Sequence, residues 1–145
     1  MRYLSLLREK LKSDTVIDLL ETYDMEVIYS FDRTHENLPD EYRTKCVDLG
    51  LEFRFDAAQS LHTLFIHLTD VEGFTPADLT GSDVVHFTSK PEAESYALDR
   101  GIETSQGCGR FFGEERDWIR LEYSAHSIHY EYRNGALALV TLSAR

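Results

Sequence analysis

The amino-acid sequence predicts an α+β protein: two tandem helix-plus-antiparallel-sheet repeats, with the helices on one face of the sheet. Three observations carry that expectation. The chain matches itself at an offset of about 77 residues, a length that accommodates one supersecondary unit. At that offset Arg43 meets Arg120, Leu51 meets Ile128, Phe53 meets Tyr130 and Phe55 meets Tyr132. Upstream, Val16 meets Ala93, Leu19 meets Tyr96 and Met25 meets Ile102. Several segments alternate apolar and polar residues with period two, as strands do when one face is packed and the other wet. Each set of strands follows a capped helix pattern.

At 145 residues the chain fits a single domain, with repeats over about 13–70 and 88–142 and a connector over about 71–87. Tyr3, Leu4, Leu7 and Leu11 recur at helical spacing and predict an N-terminal helix over 2–12. Ser13 and Asp14 can cap a second helix, whose buried stripe is Val16, Leu19, Leu20 and Tyr23. Residues 27–31 have strand composition, and a polar loop over 32–40 follows, punctuated by Pro39. Tyr42, Thr44 and Cys46 alternate with Arg43, Lys45 and Val47; Leu51, Phe53 and Phe55 alternate with Glu52 and Arg54. Residues 61–68 form a more continuously apolar run whose faces cannot be assigned by alternation.

The connector carries Gly73, Pro76 and Gly81, and residues 83–87 read as a short extended segment. Ser89 and Glu92 have capping-box spacing at the start of a third helix, and Gly101 supplies its left-handed stop. Residues 107–113 read as a Gly-rich loop. Residues 118–123, 128–132 and 137–142 then form a meander, with Asn134-Gly135 as a type I′ hairpin signal.

The formal charge is −11, from 26 acidic and 15 basic residues. Such a balance argues against nucleic acid or an anionic membrane as the main partner, because phosphate binding needs clustered cations. It favours a basic partner instead. The N-terminal residues offer no apolar stretch long enough for a signal peptide or membrane span, which predicts a cytoplasmic protein. Cys46 and Cys108 have no metal-ligand spacing; Cys46 reads as core or half-buried and Cys108 as an exposed loop thiol, with no disulfide expected.

Catalytic signals are weak. Of His35, His62, His67, His86, His126 and His129, the pairs at 126/129 and 62/67 fall on opposite faces of a regular strand. Neither His-Glu-x-x-His nor Gly-x-Ser-x-Gly occurs, and Gly107-Cys108-Gly109 lacks the ending of a phosphate loop. No cofactor or metal is expected. Two acidic clusters, one of Glu36, Asp40 and Glu41 and the other of Glu114, Glu115 and Asp117, read as solvated loops that could rim one surface. If the apolar strand positions pack under helices, alternation projects Glu52, Arg54, Arg120, Glu122, His129 and Glu131 onto the opposite sheet face, with Arg43 and Lys45 beside them. That face is either simply solvated or a partner surface. Interfaces need Arg or aromatic anchors, which Arg54, Arg120, Phe111, Phe112 and Trp118 can supply, although Trp118 reads rather as core.

The segments Gly-Leu-Glu-Phe-Arg-Phe-Asp (50–56), Leu-His-Thr-Leu-Phe-Ile-His-Leu (61–68), Glu-Gly-Phe-Thr-Pro (72–76) and Ile-His-Tyr-Glu-Tyr-Arg-Asn-Gly-Ala-Leu-Ala-Leu-Val-Thr-Leu (128–142) resemble a recurrent bacterial module. It is found in immunity-protein-like families of polymorphic toxin systems, with a duplicated layout similar to that of the β-lactamase inhibitor protein. The resemblance spans about residues 13–142, a tandem unit. Where such modules end a helix with Leu-Gly-x-Pro, this chain has Thr22-Tyr23-Asp24 and Asp99-Arg100-Gly101. The resemblance implies a monomer or weak dimer that neutralises a cognate toxin domain by binding, the toxin carrying a basic cleft. A non-catalytic scaffold module is the alternative reading, and a small enzyme a more distant one.

Overall fold

The computed structural model describes residues 1–31 and 39–145. The elements run α1 (Tyr3–Leu6), α2 (Asp14–Thr22), β1 (Ile28–Ser30), β2 (Glu41–Cys46), β3 (Leu51–Phe55), β4 (Leu61–His67), α3 (Lys90–Asp99), β5 (Glu103–Phe111), β6 (Glu114–Glu122), β7 (His126–Arg133) and β8 (Ala136–Ala144). All eight strands belong to one antiparallel sheet in the order β1-β2-β3-β4-β8-β7-β6-β5. The fold is therefore α+β and dominated by its sheet, with β4 and β8 joined at its centre through Leu64 opposite Leu142 and Ile66 opposite Val140.

The period-two pattern decides which face is packed. Cys46, Leu51, Phe53, Phe55, Leu64, Ile66, Ile119, Leu121, Ile128, Tyr130, Tyr132, Val140 and Leu142 share one face and one buried cluster. Tyr3, Leu6, Leu7 and Val16 join them from the N-terminal region, Leu79, Val84 and Phe87 from the connector, and Ala93 and Ala97 from α3. The helices and the connector from Leu79 onward thus form a single layer over one side of the sheet. Two buried tyrosines pin the connector there: Tyr130 donates to the Val85 carbonyl at 2.9 Å and Tyr132 to the Phe87 carbonyl at 2.9 Å. Burial pushes both phenols far above their ordinary range, so they act as permanent donors.

The helix signals hold at their starts. Ser13 accepts from the Val16 amide at 3.3 Å, and Ser89 accepts from the Glu92 amide at 3.4 Å. Glu92 reaches back one residue further than a simple capping box requires, accepting from the Thr88 amide and hydroxyl. Those bonds hold its carboxyl below the usual range.

Three expectations need correction. The N-terminal helix does not run over 2–12: it spans Tyr3–Leu6, and Arg8 turns at φ +73. Residues beyond it hydrogen-bond to the β3–β4 turn, Arg8 N to Leu61 O at 2.8 Å and Leu11 N to Gln59 O at 2.8 Å. The apolar residues are buried as their spacing implied, but sheet-like bonds replace helical ones. Residues 107–113 are not a Gly-rich loop: β5 runs straight through to Phe111 and a two-residue turn follows. The last concerns His62 and His67. A bulge between Arg54 and Phe55 shifts the β3–β4 register, and His62 lies 3.9 Å from Glu41 on the face away from the helices, with His67. Residues 83–87 form no strand, and the expected loop over 32–40 lies mostly outside the described residues.

The connector passes from one side of the sheet to the other at Gly50. That glycine has φ +70, and a Cβ there would stand 2.4 Å from the Thr75 carbonyl oxygen. On the near side of this crossing Phe74 stacks on His67 with ring centres 4.3 Å apart; on the far side Leu79 enters the core.

Candidate partner-binding face

The face away from the helices carries three rows of side chains running across the sheet, each fixed by strand register. The middle row is Ser105, Arg120, His129, Thr141, Phe65, Glu52 and Lys45. On one side lies the row Gly107, Trp118, Glu131, Leu139 and His67. On the other lies Glu103, Glu122, Ser127, Ser143, Thr63, Arg54, Arg43 and Ile28. The six sheet-face residues projected by alternation, Glu52, Arg54, Arg120, Glu122, His129 and Glu131, therefore all belong to this one surface.

The acidic trio at 114–117 does not stay together. It starts a strand rather than forming a loop, so Glu114 faces with the open rows while Glu115 and Asp117 turn to the helix side. There Lys90 sits 4.0 Å from Asp117. Of the other acidic cluster, Glu41 lies on β2, Asp40 precedes it, and Glu36 is outside the described residues, as is His35. Phe111 and Phe112 end the β5–β6 hairpin, and Phe112 is fully exposed.

The preferred core reading of Trp118 missed its place: it is half-buried on the open face, where its second reading as an anchor puts it. Its ring lies over Gly107, where a Cβ would come within 2.7 Å of the indole, and it stacks on His129 at 5.3 Å. The signal was present in Gly107, since a glycine beside a strand aromatic makes room for a flat ring. Phe65 was also missed, because the apolar run 61–68 hides its alternation; the Arg54 guanidinium lies 4.9 Å from its ring centre.

Electrostatically the face is balanced. Glu41, Glu52, Glu103, Glu114, Glu122 and Glu131 stand among Arg43, Lys45, Arg54, Arg116, Arg120 and Arg133. The net −11 of the chain therefore comes from the rest of the molecule. Arg133 meets Glu131 at 2.9 Å, Arg54 meets Glu41 at 3.6 Å, and Glu52 meets His67 at 3.5 Å. Arg120 Nε is 2.9 Å from Glu122 Oε1, a close charge contact whose angle is not that of a hydrogen bond. Arg145 also pairs with Glu122. Half-exposed pairs of this kind contribute little stability, about 0–1 kcal/mol each. Their use is to hold long side chains in place. Burial, above all, holds the His129 imidazole below its ordinary value, with Arg120 adding to the effect and Glu131 opposing it.

A groove of about 520 Å³ opens at the other margin of the sheet, lined by Tyr23, Met25, Ile28, Arg43, Lys45 and Arg54 among others. Among the described residues no group of three or more His, Cys, Asp or Glu is placed to hold a metal ion. No helix among them is long and apolar enough to cross a membrane. Comparison with family models, curated proteins and solved structures finds no match to this chain.

Proposed function

We propose that this protein is a cytoplasmic immunity protein, binding a cognate secreted bacterial toxin domain and occluding its active site or substrate path without a cofactor. The observation that carries this reading is the open sheet face: ordered charge pairs surround the half-buried aromatics Trp118 and Phe65, beside Arg54 and Arg120. A rigid, registered surface with Arg and aromatic anchors is what a recognition face needs. Because its charges already balance, the toxin must offer both signs in matching positions, which favours one partner over many.

The net charge plays a separate part. Steering depends on the whole molecule's field, so a basic toxin domain is drawn in by the −11 total and then held by the neutral face. Association should slow markedly as salt rises, while open-face substitutions should act on dissociation.

The same reading takes the fold as a duplication over about residues 13–70 and 88–142. Ser13 and Ser89 cap α2 and α3, and four strands follow each helix. The offset pairs Phe53/Tyr130 and Phe55/Tyr132 lie on the packed face. On the open face the copies diverge, with Glu52 against His129 and Arg54 against Glu131. Two similar frames with unlike surfaces suit one asymmetric partner.

The test is co-expression with the toxin domain encoded by the neighbouring gene. Growth should be rescued by the native chain and lost with the double substitution Trp118→Ala and Arg54→Ala, at unchanged thermal stability. Rescue that survives both changes, or a neighbour with no toxic domain, would overturn the proposal.

A further inference from the structure

The geometry points to self-association: we infer that two copies pair β5 against β5 about a two-fold axis at Gly107, extending the sheet. β5 ends the sheet and no described residue pairs with its outer side. It is nine residues long, its register with β6 has no bulge, and residues 104–109 contain neither charge nor proline. Edge strands normally carry such features to block pairing. This one carries none over its central stretch.

The register follows from backbone chemistry. Phe112 and Gly113 both have positive φ, forming a two-residue turn that makes Phe111 and Glu114 a mutually hydrogen-bonded pair. By alternation Thr104, Gln106, Cys108 and Arg110 then aim their amides and carbonyls outward. Lys90 contacts the Gly107 carbonyl, which belongs to the inward set, so the outward groups keep clear of it. A two-fold axis must match outward residues with outward residues. Centred on Gly107, the middle of the strand, it matches Thr104 with Arg110 and Gln106 with Cys108, each twice, and leaves no strand residue over.

Side chains favour a second copy over an unrelated strand. On the open face the indole of Trp118 already overlies Gly107, so the axis brings the two indoles together over a bed of two glycines. On the helix side Gln106 hydrogen-bonds Glu94 at 3.3 Å, which places that flank of α3 above the free edge. Leu98 is one helical turn further along the same flank and is 80 % exposed. The Phe112 turn of the second copy arrives level with residue 102, beside Leu98. The two most exposed large apolar residues among the described ones thereby approach one another, twice.

Sedimentation velocity over a dilution series, with fluorescence of the single tryptophan as a second readout, tests the inference. The native chain should show a reversible monomer–dimer equilibrium with a shift in Trp118 emission. Cys108→Pro removes an outward amide at a position where an edge strand tolerates proline. Leu98→Glu changes only an exposed helix residue. Each should raise the dimer dissociation constant about tenfold or more. Gln106→Cys should yield a covalent dimer on oxidation, since cross-strand Cα separations of about 5.5 Å suit a disulfide. Adding Cys108→Ser should abolish it, which the alternative registers would not require. A chain monomeric up to its solubility limit overturns the inference. So does a dimer indifferent to Leu98→Glu and uncrosslinked by Gln106→Cys, or a β5 edge taken only by a strand of the toxin.

Discussion

Tyr130 and Tyr132 do more than fill the core. Each ends a strand-to-connector hydrogen bond at 2.9 Å, and the Tyr132 bond is buried. Replacing Tyr132 with Phe leaves the Phe87 carbonyl without its donor and should cost about 1–3 kcal/mol in urea unfolding. Tyr130→Phe should cost somewhat less, its bond being only partly buried. The histidines give a pH dependence whose sign is fixed. His126 and His129 are both held below their ordinary value of 6.5, first by burial. The unfolded chain therefore takes up protons that the folded chain refuses. Their contribution is complete above that value and is lost as pH falls through it toward the depressed folded values. The double variant His126→Gln and His129→Gln should flatten stability against pH across that window; an unchanged slope would remove these two groups from the account.

Among the elements, the two tight hairpins make an instructive pair. Asn134-Gly135 and Phe112-Gly113 adopt the same turn, with φ of +50 and +82 in one and +50 and +77 in the other. Asn suits that conformation; Phe does not, at a cost of about 1–2 kcal/mol. Phe112→Asn should therefore raise stability by about 1 kcal/mol while weakening self-association. A loss of stability would mean that the exposed ring has a packing role within one chain. Asn-Gly announced its hairpin in the sequence. Phe-Gly did not, and with Gly107 and Gly109 beside it the whole segment read as loop. The glycines serve the neighbouring rings of Trp118 and Phe111 instead.

The two meanders depend on one another. They share the β4–β8 ladder, and the N-terminal segment ties both: Arg8 pairs by its backbone with Leu61, while its guanidinium reaches the Ala125 and Arg145 carbonyls. Tyr3 adds a bond to the Asp78 carbonyl. Residues 1–70 and 71–145, made as separate chains, should each fail to unfold cooperatively, as followed by circular dichroism against urea. Each would expose half a core and a long central edge. Cooperative unfolding of either piece would show that the halves are independent units.

Composition and periodicity were enough for an α+β chain, for the packed set of Leu51, Phe53, Phe55, Ile128, Tyr130 and Tyr132, and for the six polar residues opposite them. Those are properties of alternation, which is local: a strand's side chains must point to opposite sides whatever its neighbours do. Cap positions at Ser13 and Ser89 are local too. Strand order is not. Which strands meet depends on the β4–β8 junction and on pairings between residues far apart in the chain. The bulge at Arg54/Phe55 and the charge balance of the open face come from the same source. Cross-strand register brings distant residues side by side, and only the folded sheet sets it.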